Sequence, residues 1–327
     1  MRISVVLCSC NGARFIGEQV SSICAQTLPA TELLIQDDVS EDETLDEARK
    51  AWLHCREMGM KVPRLTIKSN PLRLGVAANF SKALASVSCD LIALADQDDV
   101  WHEQRLQIAV EAMQSRPSRL LVHSDANMVD AQRRLLKHSL FDALSLTTIE
   151  RDRAFSGDEL PLLLDRNLVT GATTLIRRPL LDLALPVPAF WLHDEWLGVI
   201  AAALGEALAI PERLIDYRQH AANQVGAKRE SVRAMLRRLL EPRGDFHLHR
   251  FRRAQELQRR LRMAGSQVNE EAHRLVEEKV AHHAVRAAYP SSRWMRAPQI
   301  VGEWRTGRYR RFGRGLRGLL KDLVESA

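Results

Sequence analysis

The chain has 327 residues, of which 46% are apolar, 27% charged and 5% aromatic, enough to bury one large core or two domains and unlike a disordered protein. Its five cysteines (Cys8, Cys10, Cys24, Cys55 and Cys89) are odd in number, have no CxxC spacing and lie beside no histidine cluster. That argues against a disulfide or zinc framework and favours a reducing, cytoplasmic compartment. The net charge of +6 hides a split: residues 1–227 hold 23 Lys and Arg against 30 Asp and Glu, while residues 228–327 hold 24 against 11, so an acidic body carries a basic extension.

"ISVVLCS" (3–9) reads as a first strand rather than a signal peptide, because no small-residue cleavage site follows it. "ARFIGEQVSSICAQT" (13–27) has helical spacing at Phe15, Ile16, Val20 and Ile23. "ELLIQ" (32–36) is a second strand, and residues 42–58 form a second helix with acids in its first turn. "RLTIKS" (64–69), a helix from about Val76 to Ser86 and the strand "LIALA" (91–95) complete a β-α-β alternation. Such alternation predicts an α/β fold with a mostly parallel, Rossmann-like sheet and helices on both faces.

Residues 119–217 are less regular. "RLLVHSDANMVDA" predicts a strand and turn, "NLVTGATTLIRR" (167–178) a strand pair, "HDEWLGVIAAALG" (193–205) a helix, and "EALAIPERLIDYRQH" two short strands. From Lys228 onward the pattern is helical and Arg-rich. The expected organisation is a domain over 1–227 followed by a basic helical extension over 228–327. No run of about 18 uncharged apolar residues occurs, so no transmembrane helix is expected.

In sheets of this kind ligands sit beyond the carboxyl ends of the strands. Three polar clusters fall there: Asn11, the pair Asp37 and Asp38, and the trio Asp96, Asp98 and Asp99. The last closes "LIALADQDDVWHEQRL" (91–106). Carboxylates this close repel one another unless water screens them or a cation sits between them. A solvated turn and a metal site are the two readings.

"VVLCSCNGARFIGEQVSSICAQT", "IQDDVSEDET", "LGVAANFSKAL" and "LADQDDVWHEQRL" together resemble the successive motifs of glycosyltransferase family 2. "VTGATTLIRR", "HDEWL" and "YRQHAANQVG" resemble its rhamnosyltransferase-like branch. The resemblance covers about residues 3–227 and, more weakly, "GRYRRFGRGLRGLLKDL" near the end. It implies a GT-A fold, a nucleotide-sugar donor, Mg²⁺ or Mn²⁺, and an inverting single displacement.

By this resemblance Asp96-Gln97-Asp98 is the DxD motif, with Asp98 as direct metal ligand, Asp96 shared between ribose and metal, and Asp99 in support on the acceptor side. Asp37 and Asp38 would accept a hydrogen bond from a uracil or thymine N–H, with helix capping as the alternative. Asn11 and Asn79 join them on the nucleotide side. Two departures stand out: Val39 replaces the usual glycine, and Cys8 and Cys10 replace the usual Thr and Tyr, removing a ring expected to stack on the base.

Asp194 matches the general base that an acceptor hydroxyl needs, with Glu195 as neighbouring rival and a helix cap as the alternative. Gly171 matches the close-approach glycine on the acceptor side, or else marks a bulge. Arg218 would stabilise the departing diphosphate, and His220 would add a metal ligand or a phosphate hydrogen bond; a surface strand end is the other reading. Trp101 reads as a packing residue.

The basic extension mixes Arg with Trp, Tyr, Phe and Leu. This suits peripheral contact with an anionic membrane at the inner face of the plasma membrane, or a solvated helix packed on the acidic body. No nucleic-acid module is present, so no nucleic-acid partner is expected. The expectation is transfer of a sugar, L-rhamnose in the first place, from a dTDP- or UDP-sugar donor to a glycan or lipid-linked saccharide acceptor of the cell surface. A nucleotidyltransferase and a non-catalytic nucleotide-binding or membrane scaffold are the alternatives.

Overall fold

The computed structural model describes residues 1–220 and 244–325. The end of "YRQHAANQVG" beyond His220 and the expected boundary at residue 227 lie outside these. The chain divides into two compact units, Met1–Asp158 with Val169–Lys228, and Glu159–Leu168 with Arg229–Ala327. The ten residues 159–168, expected within the first domain, group with the C-terminal helices.

The first unit is built on one nine-stranded sheet. Its first half is β1 (Ile3–Ser9), β2 (Glu32–Asp37), β3 (Arg64–Ser69) and β4 (Leu91–Asp96), wholly parallel in the order β3-β2-β1-β4. Leu33 to Ile35 and Leu91 to Ala95 are buried without interruption, as strands covered on both faces must be. The crossovers are α1 (Ile16–Cys24), α2 (Thr44–Glu57) and α3 (Val76–Leu84). The α1 start is set by Gly12, whose carbonyl accepts from the Phe15 and Ile16 N–H groups. In α2, Asp46 and Glu47 lie in the first turn and His54 and Arg56 in the last, the arrangement the helix dipole favours. This half is the α/β, GT-A-type fold that the motifs imply.

The other half is mixed. The short β5 (Val100–Trp101) precedes α4 (Arg105–Gln114), then come β6 (Arg119–Asp130) and β7 (Leu135–Ser139). Helices α5 (Leu140–Ala143) and α6 (Thr148–Ser156) both begin with capping boxes, Ser139 with Asp142 and Thr147 with Glu150. Further on stand β8 (Leu175–Arg177), α8 (Leu180–Ala184), α9 (His193–Leu204) and β9 (Glu206–Gln219). The expected strand pair over 167–178 is one 3₁₀ turn, Gly171–Thr173, followed by a single strand. The expected two strands after Gly205 are one strand. Pro211 only shifts the β6–β9 register, Ser124 facing Ile210 and Asp125 facing Arg213, because a proline is tolerated at a bulge.

The second unit is helical: α7 (Leu160–Asp165), α10 (Phe246–Ala264), α11 (Glu270–Ala287), α12 (Arg293–Arg305), α13 (Arg308–Phe312) and α14 (Leu316–Val324). Asn269 caps α11 by accepting from the Ala272 N–H at 2.7 Å. Tyr289, Ile300 and Tyr309 form a core cluster with Val285, Trp304, Leu319 and Leu323 packed against it. Segment 159–168 is held here by Lys279, which donates to the Leu164 carbonyl, and by the Arg314 N–H, which donates to Asp165 at 3.0 Å. Among the described residues no helix is long and apolar enough to cross a membrane.

Candidate active site

Strand β4 ends on Asp96, and β5 pairs antiparallel with β9 through Val100–Asp216 and Trp101–Ile215. The loop between them, Asp96 to Asp99, is thereby carried to the end of β9. There Arg218 fastens it from behind. Its N–H donates to Asp99 Oδ1 at 3.0 Å and its Nε to the Asp98 carbonyl at 2.7 Å. The remaining guanidinium nitrogens donate to the Ala131 carbonyl at 2.9 Å and to Glu18 at 3.0 Å. The group lies 4.6 Å from the Phe15 ring centroid and is 2% exposed. Where the sequence reading has a cation for the departing diphosphate, the structure has Arg218 bracing the acidic loop.

His220 Nε2 lies 2.7 Å from Asp98 Oδ2, and its ring centroid is 4.9 Å from that of Phe15. Gln97, the middle residue of the motif, accepts from the Cys10 N–H at 2.8 Å and donates to the Cys10 carbonyl at 3.0 Å. It locks the loop after β1 to the loop after β4, and a Cβ at Gly12 would collide with it. Beneath the loop, Arg105 donates to the Leu94 and Ala172 carbonyls at 3.0 and 2.8 Å and lies 3.4 Å from the Trp101 ring centroid. Trp101 is a packing residue, 3% exposed. Burial lowers Arg105 to about 9, with the nearby Asp99 opposing.

Asp194, the second residue of α9, comes to the same place. Its Oδ2 accepts from the Gly171 N–H at 3.1 Å and its Oδ1 from the Glu195 N–H at 2.6 Å. Gly171 thus orients Asp194, and a Cβ on it would strike His193. His193 stacks on Phe80 with centroids 3.9 Å apart, and burial lowers it to about 3, so it stays neutral. Glu195 sits half-buried beside Asp194.

The electrostatics show the convergence. Burial, then Asp98 and Asp194, push Asp96 up to about 7. Burial, then Asp98 and Asp96, raise Asp99 well above the carboxylate range against the pull of Arg218. Tyr217 is raised by burial and then by Asp99, Asp96, Asp98 and Asp194. The buried Asp99 Oδ2 has no hydrogen-bond partner. Four carboxylates therefore share one region that lacks enough positive charge. A hard divalent cation fits such oxygen donors, and Asp96, Asp98 and His220 are the residues that could hold one. Three side-chain ligand atoms do not close on one point here. Among the described residues, the group that does so is His247, Asp322 and Glu325 in the second unit.

The expected nucleotide side is organised differently. Asp37 accepts from Ser9 Oγ at 2.8 Å and from the Ser40 N–H and Oγ at 2.9 and 2.6 Å. Asp38 accepts from the Leu74 and Gly75 N–H groups at 2.7 and 2.8 Å and from Asn70 at 2.8 Å. Asn79, 2% exposed, accepts from Asn70 and donates to the Gln36 carbonyl. Its place is inside this network. Asn11 accepts from the Glu41 N–H at 2.8 Å and has φ 50. Neither Asp37 nor Asp38 caps α2, whose N-cap is Glu43. Val39 takes the left-handed conformation, φ 61, that the missing glycine would have adopted freely. The residues the sequence reading missed are Gln97, Arg105, Glu18 and Phe15; only Gln97 carried a signal, its place within the motif.

A family model described as "Glycosyl transferase family 2" matches residues 4–181. An uncharacterized glycosyltransferase of Nostoc sp. is 25% identical over 232 residues, 68% of this chain and 66% of the relative. The UDP-Glc:α-D-GlcNAc-diphosphoundecaprenol β-1,3-glucosyltransferase WfgD of Escherichia coli is 28% identical over 34% of this chain and 40% of its own length. The dTDP-rhamnosyl transferase RfbG of Shigella flexneri is 30% identical over 32% and 35%. The chain thus spans under two thirds of the length of each of these relatives. Among solved structures, S. aureus TarS 1-349 in complex with UDP-GlcNAc matches with a TM-score of 0.58 at 15% identity, over 99% of this chain and 90% of that one. The Pyrobaculum calidifontis mannosyltransferase PcManGT with GDP-Man and Mn²⁺ matches with 0.52 at 18%, over 99% and 85%. These likenesses support the fold. The family match runs from β1 to α8 and takes in the DxD loop, and on that span the chain belongs to glycosyl transferase family 2.

Proposed function

We propose that the chain is an inverting glycosyltransferase that moves a sugar from a nucleoside diphosphate donor to a saccharide hydroxyl. The observation that carries this reading is the meeting of Asp96, Asp98 and Asp99 from the end of β4 with Asp194 from the start of α9. Asp96, Asp98 and His220 would hold a Mg²⁺ or Mn²⁺, which would supply positive charge for the diphosphate leaving group. Asp194 is the base: two backbone N–H groups hold its carboxylate at the start of α9, beside Asp96. Gly171 permits the close approach on that side, and Glu195 is the neighbouring carboxylate against which the assignment is tested. Arg218 and Gln97 hold the acidic loop in register.

L-Rhamnose from a dTDP donor is the favoured sugar, supported by the "HDEWL" and "YRQHAANQVG" resemblance and by the likeness to RfbG. The acceptor is a glycan or lipid-linked saccharide precursor of the cell surface. Thermal shift and donor hydrolysis across dTDP-rhamnose, UDP-sugars and GDP-mannose, each with Mn²⁺ and with chelator, test this reading. Stabilisation and slow hydrolysis with dTDP-rhamnose and Mn²⁺ are expected. Hydrolysis of another donor alone reassigns the sugar. Binding without hydrolysis or transfer of any donor favours a nucleotide-binding scaffold.

A further inference from the structure

Helix α14 is two-faced in an unusual way. Its inner face packs Leu319 and Leu323 on the core cluster and buries Asp322 completely. Its outer face shows Leu316, Leu320 and Val324, spaced four apart and 63, 50 and 36% exposed. An apolar stripe at i, i+4 and i+8 is normally the buried side of a helix. Here it faces outward.

Neighbouring elements extend the stripe. Arg293 Nη2 donates to the Val324 carbonyl at 2.6 Å, which sets Trp294, 89% exposed, beside the helix end. Lys321 Nζ lies 4.1 Å from the ring centroid of Phe246, itself 42% exposed. Apolar residues from three helices therefore share one surface.

Along residues 291–325 the exposed charge has one sign, while Asp245, exposed next to Phe246, adds one acid at the edge of the surface. Residues 291–325 contain nine Lys and Arg and three acids, Glu303, Asp322 and Glu325. All three acids are buried, at 4, 0 and 1% exposure. They are bonded inward: Asp322 to Arg286 at 2.6 and 2.7 Å, Glu303 to His282 at 2.7 Å, Glu325 to His247 at 3.0 Å. Arg293, Arg310, Arg311, Arg314 and Arg317 remain exposed. A water-facing helix ordinarily intersperses both signs.

We infer that this face of the C-terminal unit, with Trp294, Leu316 and Leu320 as its apolar contacts and Arg317 and Lys321 as its charged ones, docks on an anionic lipid bilayer. Apolar side chains at the acyl boundary with basic residues at the headgroups are what an interfacial segment presents. A second copy of the chain fits less well, since a two-fold contact would set this positive patch against itself. The inference rests on the proposed transfer only in that a lipid-linked acceptor would lie in the same membrane.

The test uses the intact chain and co-sedimentation with phosphatidylcholine vesicles, with and without phosphatidylglycerol. Binding to the anionic vesicles, weakened by salt, is expected. Leu316→Glu with Leu320→Glu should weaken it about tenfold or more, and Arg317→Glu with Lys321→Glu by a similar factor. Leu316, Leu320 and Arg317 are exposed and Lys321 is half-buried against Phe246; melting near that of the parent shows that a loss is one of binding and not of folding. Equal binding to neutral vesicles, no binding, or binding untouched by either pair overturns the inference. So does a lipid-free dimer that Leu320→Glu dissociates, which assigns the face to a second copy. Donor hydrolysis measured on the same samples separates the two readings: vesicle binding with no hydrolysis defeats the transferase reading alone.

Discussion

The two units each contain a cluster of buried acids, and they treat them in opposite ways. In the helical unit burial disfavours the Asp322 carboxylate, yet the bidentate Arg286 and the Tyr309 hydroxyl, at 2.5 Å, hold its pKa below the usual range. In the sheet unit burial and mutual repulsion push Asp96 up to about 7 and raise Asp99 as well, although Arg218 and Arg105 both stand behind the loop. A buried acid with its own arginine is structure. A cluster short of positive charge is arranged for a partner that the chain itself does not supply.

The largest expected effect comes from removing one carboxylate from the second cluster. Asp194→Asn keeps the shape and one of the two backbone N–H contacts, to Gly171 or to Glu195, but removes the proton acceptor. Turnover should fall about 10²–10⁴-fold, with donor binding and melting temperature near those of the parent. The same change at Glu195 should cost far less. Transfer at the parent rate would make Asp194 only a helix-terminus ligand for Gly171.

The comparison is broken from the other side by Arg286→Met, which gives the helical unit an uncompensated acid of its own. Urea unfolding should show a loss of about 3–5 kcal/mol. Adding Asp322→Leu should recover most of it, because a well-packed apolar pair can replace a buried ion pair. If the single change costs less than about 1 kcal/mol, Asp322 does not depend on Arg286 and the contrast fails.

A smaller effect concerns a compensated acid two residues from Arg218. Burial works against the Asp216 carboxylate, but His102 at 2.9 Å, Asn127 at 3.1 Å and Arg133 at 3.0 Å lower its pKa. The hydrogen bond to Asp216 raises His102, against burial. The lowered acid adds stability above its unfolded value of about 3.9, lost as pH falls through its folded value. The raised histidine adds stability below about 6.5, lost as pH rises through its folded value. The pair should therefore contribute most between about pH 4 and 6.5. With His102 37% exposed, the contribution is under about 1 kcal/mol. A His102→Gln variant should flatten the stability–pH curve above pH 6; an unchanged curve would separate His102 from Asp216.

The smallest effect lies in the backbone. Left-handed φ costs an L-residue about 1–2 kcal/mol, while glycine adds about 0.5–1 kcal/mol of chain entropy. Val39→Gly should thus stabilise the chain by less than about 1 kcal/mol. A loss of stability would mean that the valine side chain packs better than its half-buried position implies.

The parallel half of the sheet was legible because its strands are short aliphatic runs separated by amphipathic ones, and because Asp96 to Asp99 end a strand. The match of "HDEWL" drew Asp194 to attention, and the structure brings it to the same loop. What escaped was whatever depends on distant pairing. Arg218 reads as a free cation until β9 sets it behind Asp98, 120 residues earlier. The hydrogen bonds of Asp38 to the loop at Leu74 and Gly75, and of Asn79 to Asn70, likewise depend on segments far along the chain. The single strand β9 was split in two by Pro211, since a bulge and a break look alike without the partner strand.

Segment Glu159–Leu168 has a consequence for how the protein is made. It leaves the ribosome early, yet its partners are Lys279, 115 residues later, and Arg314, 149 residues later. A six-residue helix is far too short to persist alone, and Leu163 and Leu164 are apolar residues that end up buried. During synthesis this stretch must wait as an exposed, sticky loop until the C-terminal helices arrive. Chains released before Arg314 would carry it unprotected, which makes it the natural first handle for chaperones and proteases that sort finished molecules from unfinished ones.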